Sequence, residues 1–206
     1  MQNPKIISKN SVRAGDVLLC FAQDMAGKEV GIEHGYSHVA MCINEIDIAE
    51  SDSAGVRKTN ISKLLEDYGH IAVLRNAEIW QPCLINGLHK FTEEKIGKKF
   101  NLVGAKKYKE RKERNQETLM QQVEDIFDGK ILPASADRDV YFCSEFVVSV
   151  FIHLGIIGKE ATVAFRSETF SPEDIGKDKV FGFFVGYVIS YNDYKIPEND
   201  YFMTSV

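Results

Sequence analysis

Cys143 stands in the run Asp139-Val140-Tyr141-Phe142-Cys143-Ser144-Glu145-Phe146, at the start of a segment whose periodicity predicts a buried amphipathic helix. Upstream, Tyr36-Ser37-His38-Val39-Ala40-Met41 is followed by Ile48-Ala49-Glu50-Ser51. A thiol at a helix N-terminus and an imidazole on a strand are the minimal parts of a thiol nucleophile and its base. A free thiol titrates near ~8.5, and both the positive end of a helix and a nearby imidazolium favour its thiolate. Backbone N–H groups of the same first turn, that of Ser144 among them, are available to a developing oxyanion. Tyr36 and Ser37, next to the histidine, complete the candidate substrate-binding set. The plainer alternative is a core cysteine at a helix start, and spacing alone does not separate the two.

His38 tips the balance. On a strand, His38, Ala40 and Cys42 share one face while Val39, Met41 and Ile43 share the other. The next strand places Ile46, Ile48 and Glu50 on a common face. The midpoint of 38 and 50 is Asn44, a favourable turn residue. A hairpin centred there predicts His38 and Glu50 directly opposite, with Cβ atoms roughly 5 Å apart. Glu50 would then fix the imidazole tautomer and stabilise its protonated form, as the third member of a triad does. The other histidines are weaker candidates. His34 falls in an expected loop, His70 opens a strand with no polar neighbour in phase, and His89 and His153 fall within helices. His153, ten residues after Cys143 on the same helix, is ~15 Å from it and cannot act as its base.

The elements that must position these groups follow from pattern. Strands are expected at 13–21, 36–43, 46–50, 55–58 and 70–74, with a short capped helix beginning at Asn60. The middle of the chain reads as helical, with one helix over 82–97 and a weaker one over 116–127. Between them, residues 106–114 carry six basic against two acidic side chains, a pattern expected of a solvated helix face or of a docking site for an anionic partner. The helix of Cys143 runs from about 140 to 154, with Phe146, Val147, Val150, Phe151 and Leu154 on its buried stripe and Gly155 as its stop. Ser171-Pro172-Glu173-Asp174 is a compact helix start. Val180–Tyr191 is apolar enough for a central strand or hairpin. Strands, then helices, then a strand predict an α+β fold with helices packed on a largely antiparallel sheet.

Composition bounds the rest. The 206 residues are 44% hydrophobic, enough for one domain with one substantial core. A net charge of −5 argues against a nucleic-acid partner. The four cysteines are 22, 41 and 60 residues apart with no C-x-x-C, which argues against zinc, a redox dithiol or a disulfide framework. Cys20, Cys42 and Cys83 are expected to be small core hydrophobes. No metal or other cofactor is expected. The N-terminus has no signal-peptide pattern and no apolar run reaches membrane-spanning length. The expectation is a protein soluble in the cytoplasm as synthesised, with signal-independent export left open.

Gly15-Asp16-Val17-Leu18-Leu19, Ser37-His38-Val39-Ala40-Met41, Ile48-Ala49-Glu50-Ser51, Gly55-Val56 and Phe142-Cys143-Ser144-Glu145-Phe146-Val147, taken in order, resemble the circularly permuted branch of the NlpC papain-like superfamily. Phe170-Ser171-Pro172-Glu173-Asp174-Ile175 resembles that branch's short helix start after the nucleophile helix. The resemblance covers roughly 13–58 and 139–191. It implies a single permuted papain-like domain over 1–206, with a helical insertion at about 76–130. It also implies Cys143 as nucleophile, His38 as base and Glu50 as third polar residue. The branch includes enzymes similar to lecithin:retinol acyltransferase, in which a histidine usually holds the third place; Glu50 is nearer the bacterial and viral members.

The resemblance implies hydrolysis or transfer at a carbonyl without naming the substrate. The leading expectation is a thiol-dependent amidase or peptidase acting on a peptide such as a cell-wall crosslink, a role that would suit an antibacterial effector with an immunity or inhibitor protein as partner. The second is a lipid acyl hydrolase or acyltransferase using the same residues, with 106–114 touching an anionic membrane. The third is a non-catalytic binding module on this fold.

Overall fold

The computed structural model describes residues 3–22, 35–132, 135 and 137–204. In chain order the elements are β1 (Val17–Ala22), β2 (Gly35–Cys42), β3 (Ile48–Asp52), β4 (Gly55–Thr59), α1 (Ile61–Asp67) and β5 (His70–Arg75). They continue with α2 (Pro82–Lys95), β6 (Lys99–Phe100), α3 (Leu102–Phe127), β7 (Val140–Tyr141), α4 (Cys143–His153), α5 (Pro172–Lys177), β8 (Phe183–Ile189) and α6 (Tyr201–Thr204).

Six strands form one antiparallel sheet in the order β4-β3-β2-β1-β5-β8. The fold is therefore α+β. Both faces of the sheet are covered, which is why β1 and β5 read as continuous apolar runs rather than alternating ones. Val17, Leu19, Val39, Met41, Ala72 and Leu74 pack against Phe146, Val147, Val150 and Phe151 of α4, with α2 and α5 extending that layer. Leu18, Cys20, Ala40, Cys42, Ile71 and Val73 pack against Ile61 and Leu64 of α1. No helix among the described residues is long and apolar enough to cross a membrane.

Three expectations change in the structure. The middle of the chain holds α3, one continuous helix of 26 residues, where a separate helix over 116–127 was expected. Asn101 caps it, its side chain accepting from Gly104 N at 2.9 Å. The intervening Lys, Arg, Glu and Gln residues are strong helix formers, so propensity carries the helix through a stretch with no apolar stripe to read. The apolar segment 180–191 supplies an edge strand, not a central one. Its outer side is covered by the N-terminal segment, with Ile7 N donating to Tyr187 O and Tyr187 N to Lys5 O, each at 2.8 Å, so the exposed ladder is closed off. Ile46 belongs to the turn before β3 and is 75% exposed. His34 lies outside the described residues.

Candidate active site

The Cys143 end of the site is fixed by four neighbouring hydrogen bonds. Tyr141 is fully buried, and its carbonyl accepts from Ser51 Oγ at 2.7 Å and from Asn101 N at 3.0 Å. That ties the residues just before α4 to β3 and to the start of α3. Glu145 then reaches back, its Oε2 accepting from Phe142 N at 3.2 Å and from Asn101 Nδ2 at 2.9 Å. This is the acidic half of a capping box, satisfying a donor at the helix start. Burial pushes the Glu145 carboxyl above the usual carboxylate range, even though Asn101 and Arg138 pull it down. Cys143, half-buried, is the first residue of the helix. The first N–H groups of a helix have no acceptor one turn back, so those of Cys143 and Ser144 belong to the orphan donors of α4.

His38 sits on β2 beside an irregularity. Cys20 pairs with His38 but Phe21 pairs with Tyr36, so Ser37 is an extra residue on β2. A bulge of this kind bends the strand and re-aims side chains. His38 is in phase with Ala40 and Cys42 on the α1 side of the sheet, yet its imidazole is close enough for Cys143, which opens the helix on the other side, to favour its protonated form. The distortion at Ser37 accounts for that reach. The His38 ring also stacks on Tyr68, with centroids 5.6 Å apart and an interplanar angle of 6°.

Glu50 holds the imidazole from the second side. His38 Nε2 donates to Glu50 Oε2 at 2.7 Å. Arg57 Nη2 lies 3.0 Å from Glu50 Oε1 and 2.5 Å from Asp52. The hairpin differs in register from the one expected. Met41 pairs with Ala49 and Cys42 with Ile48, so the turn centres on Glu45 and Glu50 comes level with Ala40, diagonal to His38. Asn44 still shapes the turn, its side chain accepting from Ile46 N and Asp47 N at 2.8 and 2.7 Å. The shift keeps both residues on one face, and a diagonal neighbour is within reach of a glutamate.

The charges reinforce one another. Burial pushes the His38 imidazolium down, but hydrogen bonds to Cys143 and Glu50 outweigh it and its pKa rises to about 10. Burial raises the Glu50 carboxyl, and hydrogen bonds and charge from His38 and Arg57 bring it below its usual range. Cys20, on β1 next to His38, is fully buried, and burial together with Glu50 pushes its thiol well up.

The structure thus brings Cys143, His38 and Glu50 together. Ser37 lies beside them, and its hydroxyl is buried with no hydrogen-bond partner among the described residues. The other two candidates direct their side chains elsewhere. Ser144 Oγ donates to Phe170 O at 2.6 Å, leaving only its backbone to the site. Tyr36 OH donates to Asp200 Oδ2 at 2.8 Å, within a buried cluster containing His70. His70, expected to lack a polar neighbour, finds Asp200 and Tyr194 from the C-terminal segment. Cys83 is exposed, not buried: it precedes the stripe of α2 that carries Leu88 and Phe91 into the core. Arg57 and Tyr68 were not singled out from sequence. Arg57 was accessible, because the tight loop between Asp52 and Gly55 sets Glu50 opposite Arg57; Tyr68 offered no comparable signal.

Among the described residues no group of three or more His, Cys, Asp or Glu could hold a metal ion. Compared with known proteins, the chain matches no family model and no curated protein.

Proposed function

We propose that this chain is a thiol hydrolase of the permuted NlpC-type papain-like kind, cleaving an amide bond in a peptide. One observation carries the reading: a buried imidazole, hydrogen-bonded to a buried carboxylate at 2.7 Å, whose protonated form is also favoured by the helix-terminal Cys143. In this mechanism Cys143 Sγ attacks the carbonyl carbon, and the oxyanion faces the first-turn N–H groups of α4. His38 delivers its proton to the leaving amine, which departs and leaves a thioacyl enzyme. Water then attacks, with His38 accepting its proton, and the carboxylic acid product frees the thiol. Glu50 keeps the ring in one tautomer and balances its charge throughout. Cell-wall peptides are the substrate class first to be tried.

A second reading, acyl hydrolysis or transfer on a lipid with the same residues, is favoured by one observation. Asn101, which bonds Glu145, is followed directly by Leu102 and Val103, 41% and 63% exposed, with Lys106 and Lys107 also exposed one turn on. Mass spectrometry after incubation with peptidoglycan fragments in one tube and phospholipids in another tests both. New amine and carboxylate termini in the first tube support the amidase, and free fatty acid in the second supports the lipid enzyme. Wild-type protein that leaves both substrates intact, like Cys143→Ala, would refute both.

A further inference from the structure

The basic run 106–114 is not one solvated face. Lys106, Lys107 and Lys109 of α3 are exposed, and Lys112 pairs with Asp174 at 2.6 Å. Arg111, half-buried, and Arg114, exposed, line a cavity of about 500 Å³ together with Arg138 and Arg166. Four guanidinium groups therefore meet a single lining carboxylate, Glu168, on a protein whose net charge is −5.

Their partners leave positive charge to spare. Glu168 accepts from Arg138 Nη2 at 2.6 Å, and Glu110, outside the cavity, accepts from Arg114 at 2.9 Å. Arg166 donates to the neutral side chain of Gln122, and among the described residues neither Arg111 nor Arg166 has a carboxylate partner. The Nε groups of Arg138 and Arg166 are buried without an acceptor among the described residues, a costly state for a donor removed from water. Converging cations repel one another unless an anion joins them. Planar guanidinium forks match phosphate oxygens two at a time, and the volume suits a small molecule.

We propose that this cavity binds a soluble anion carrying two or more phosphate groups. The two arginines without a carboxylate partner, Arg111 and Arg166, call for more than one negative charge, and clustered phosphates hold theirs at neutral pH. Arg138 Nη1 also lies 3.3 Å from Glu145 Oε1, so the cavity is joined through one side chain to the first turn of α4. The binding site stands whether or not the hydrolase reading does.

Isothermal titration of the whole protein with sodium tripolyphosphate at low salt should give saturable binding that weakens as salt is added. The pair Arg111→Gln/Arg114→Gln should weaken it by about tenfold or more, ~1.4 kcal/mol, with an unchanged thermal midpoint. The pair Lys106→Gln/Lys107→Gln, on exposed positions of the same helix, should leave it unchanged. Absence of saturable binding, or equal loss from both pairs, would overturn the proposal. Vesicles containing phosphatidylinositol 4,5-bisphosphate separate a membrane source of the same chemistry. If they bind and tripolyphosphate displaces them, the cavity is supported. If they bind and tripolyphosphate does not compete, a membrane surface is the occupant and the soluble-ligand site is wrong.

Discussion

Glu50 carries His38 on one carboxylate oxygen at 2.7 Å and Arg57 on the other side at 3.0 Å. The carboxylate is buried, so its charge is balanced from two directions instead of by water. Glu50 thus helps to orient the imidazole and, with Cys143, favours its protonated form.

Glu50→Gln is expected to reduce kcat/KM by ten- to a thousand-fold, roughly 1.4–4 kcal/mol of barrier. The amide still accepts from the ring but no longer stabilises its positive charge. His38 is held protonated up to about 10 from an ordinary 6.5. Its contribution to stability is therefore complete below its ordinary value and is lost as pH rises through about 10. Removing the Glu50 charge should bring that alkaline loss to lower pH. A pH–rate profile and an alkaline denaturation series on both proteins check the point, and superimposable curves would take Glu50 out of the site.

Arg57→Gln should do less. The Arg57 side chain is 45% exposed, so solvent screens much of its pairing; a stability loss within about 1 kcal/mol is expected at neutral pH. The effect should fade on acidification, because a protonated Glu50 no longer pairs with Arg57. Glu50 is held below its ordinary value partly by Arg57, so its stabilising contribution is present above that value and lost as pH falls through the depressed one. Without Arg57 this acid limb should begin at higher pH. Urea unfolding at neutral and acidic pH reads the difference, which should be larger at neutral pH and shrink once Glu50 takes up a proton.

Alkylation distinguishes the proposed nucleophile from a merely accessible thiol, because Cys143 and Cys83 occur in the same chain. Cys83 is exposed, Cys143 half-buried, and Cys20 and Cys42 buried. Limiting iodoacetamide near neutral pH should mark Cys143 first although Cys83 is the more open, and the buried pair only after denaturation. His38→Ala should abolish the lead of Cys143. Labelling ordered by exposure alone would make Cys143 a structural cysteine.

The triad was legible because each member sits on a strongly patterned element. Period-two alternation placed His38 and Glu50 on one face, and the apolar stripe of α4 placed Cys143 at a helix start. Exact opposition across the hairpin was not legible, since Asn44 can serve as a turn residue in more than one register and only the paired strands fix which. The bulge at Ser37, which turns His38 toward Cys143, left no mark in the residue types. Contacts distant in sequence were the least readable: Arg138 with Glu145, and His70 with Asp200, join elements whose spacing says nothing about their meeting.

The Asp200 cluster supplies a final stability test. Asp200 Oδ1 accepts from Tyr187 OH at 2.5 Å and from Phe202 N at 3.0 Å. Its Oδ2 accepts from Tyr36 OH at 2.8 Å and from His70 Nε2 at 3.2 Å. One buried carboxylate thus ties the C-terminal segment to β2, β5 and β8. Asp200→Asn leaves a single oxygen and turns an NH₂ toward groups that already donate, so a loss of ~3–5 kcal/mol is expected, as for breaking a buried pair. Tyr36→Phe removes one donor of several and should cost about 1 kcal/mol. Burial pushes the Asp200 carboxyl up, but its hydrogen bonds to His70, Tyr187 and Tyr36 bring it below its usual range. Its contribution is therefore present above the ordinary carboxylate value and is lost as pH falls through the depressed one. Urea unfolding should show the Asp200→Asn penalty in full at neutral pH and shrinking in acid below the ordinary carboxylate value, where the native carboxylate itself takes up a proton. A penalty that is the same at both ends, or no larger than that of Tyr36→Phe, would mean that the charge of Asp200 does not hold the C-terminal segment in place.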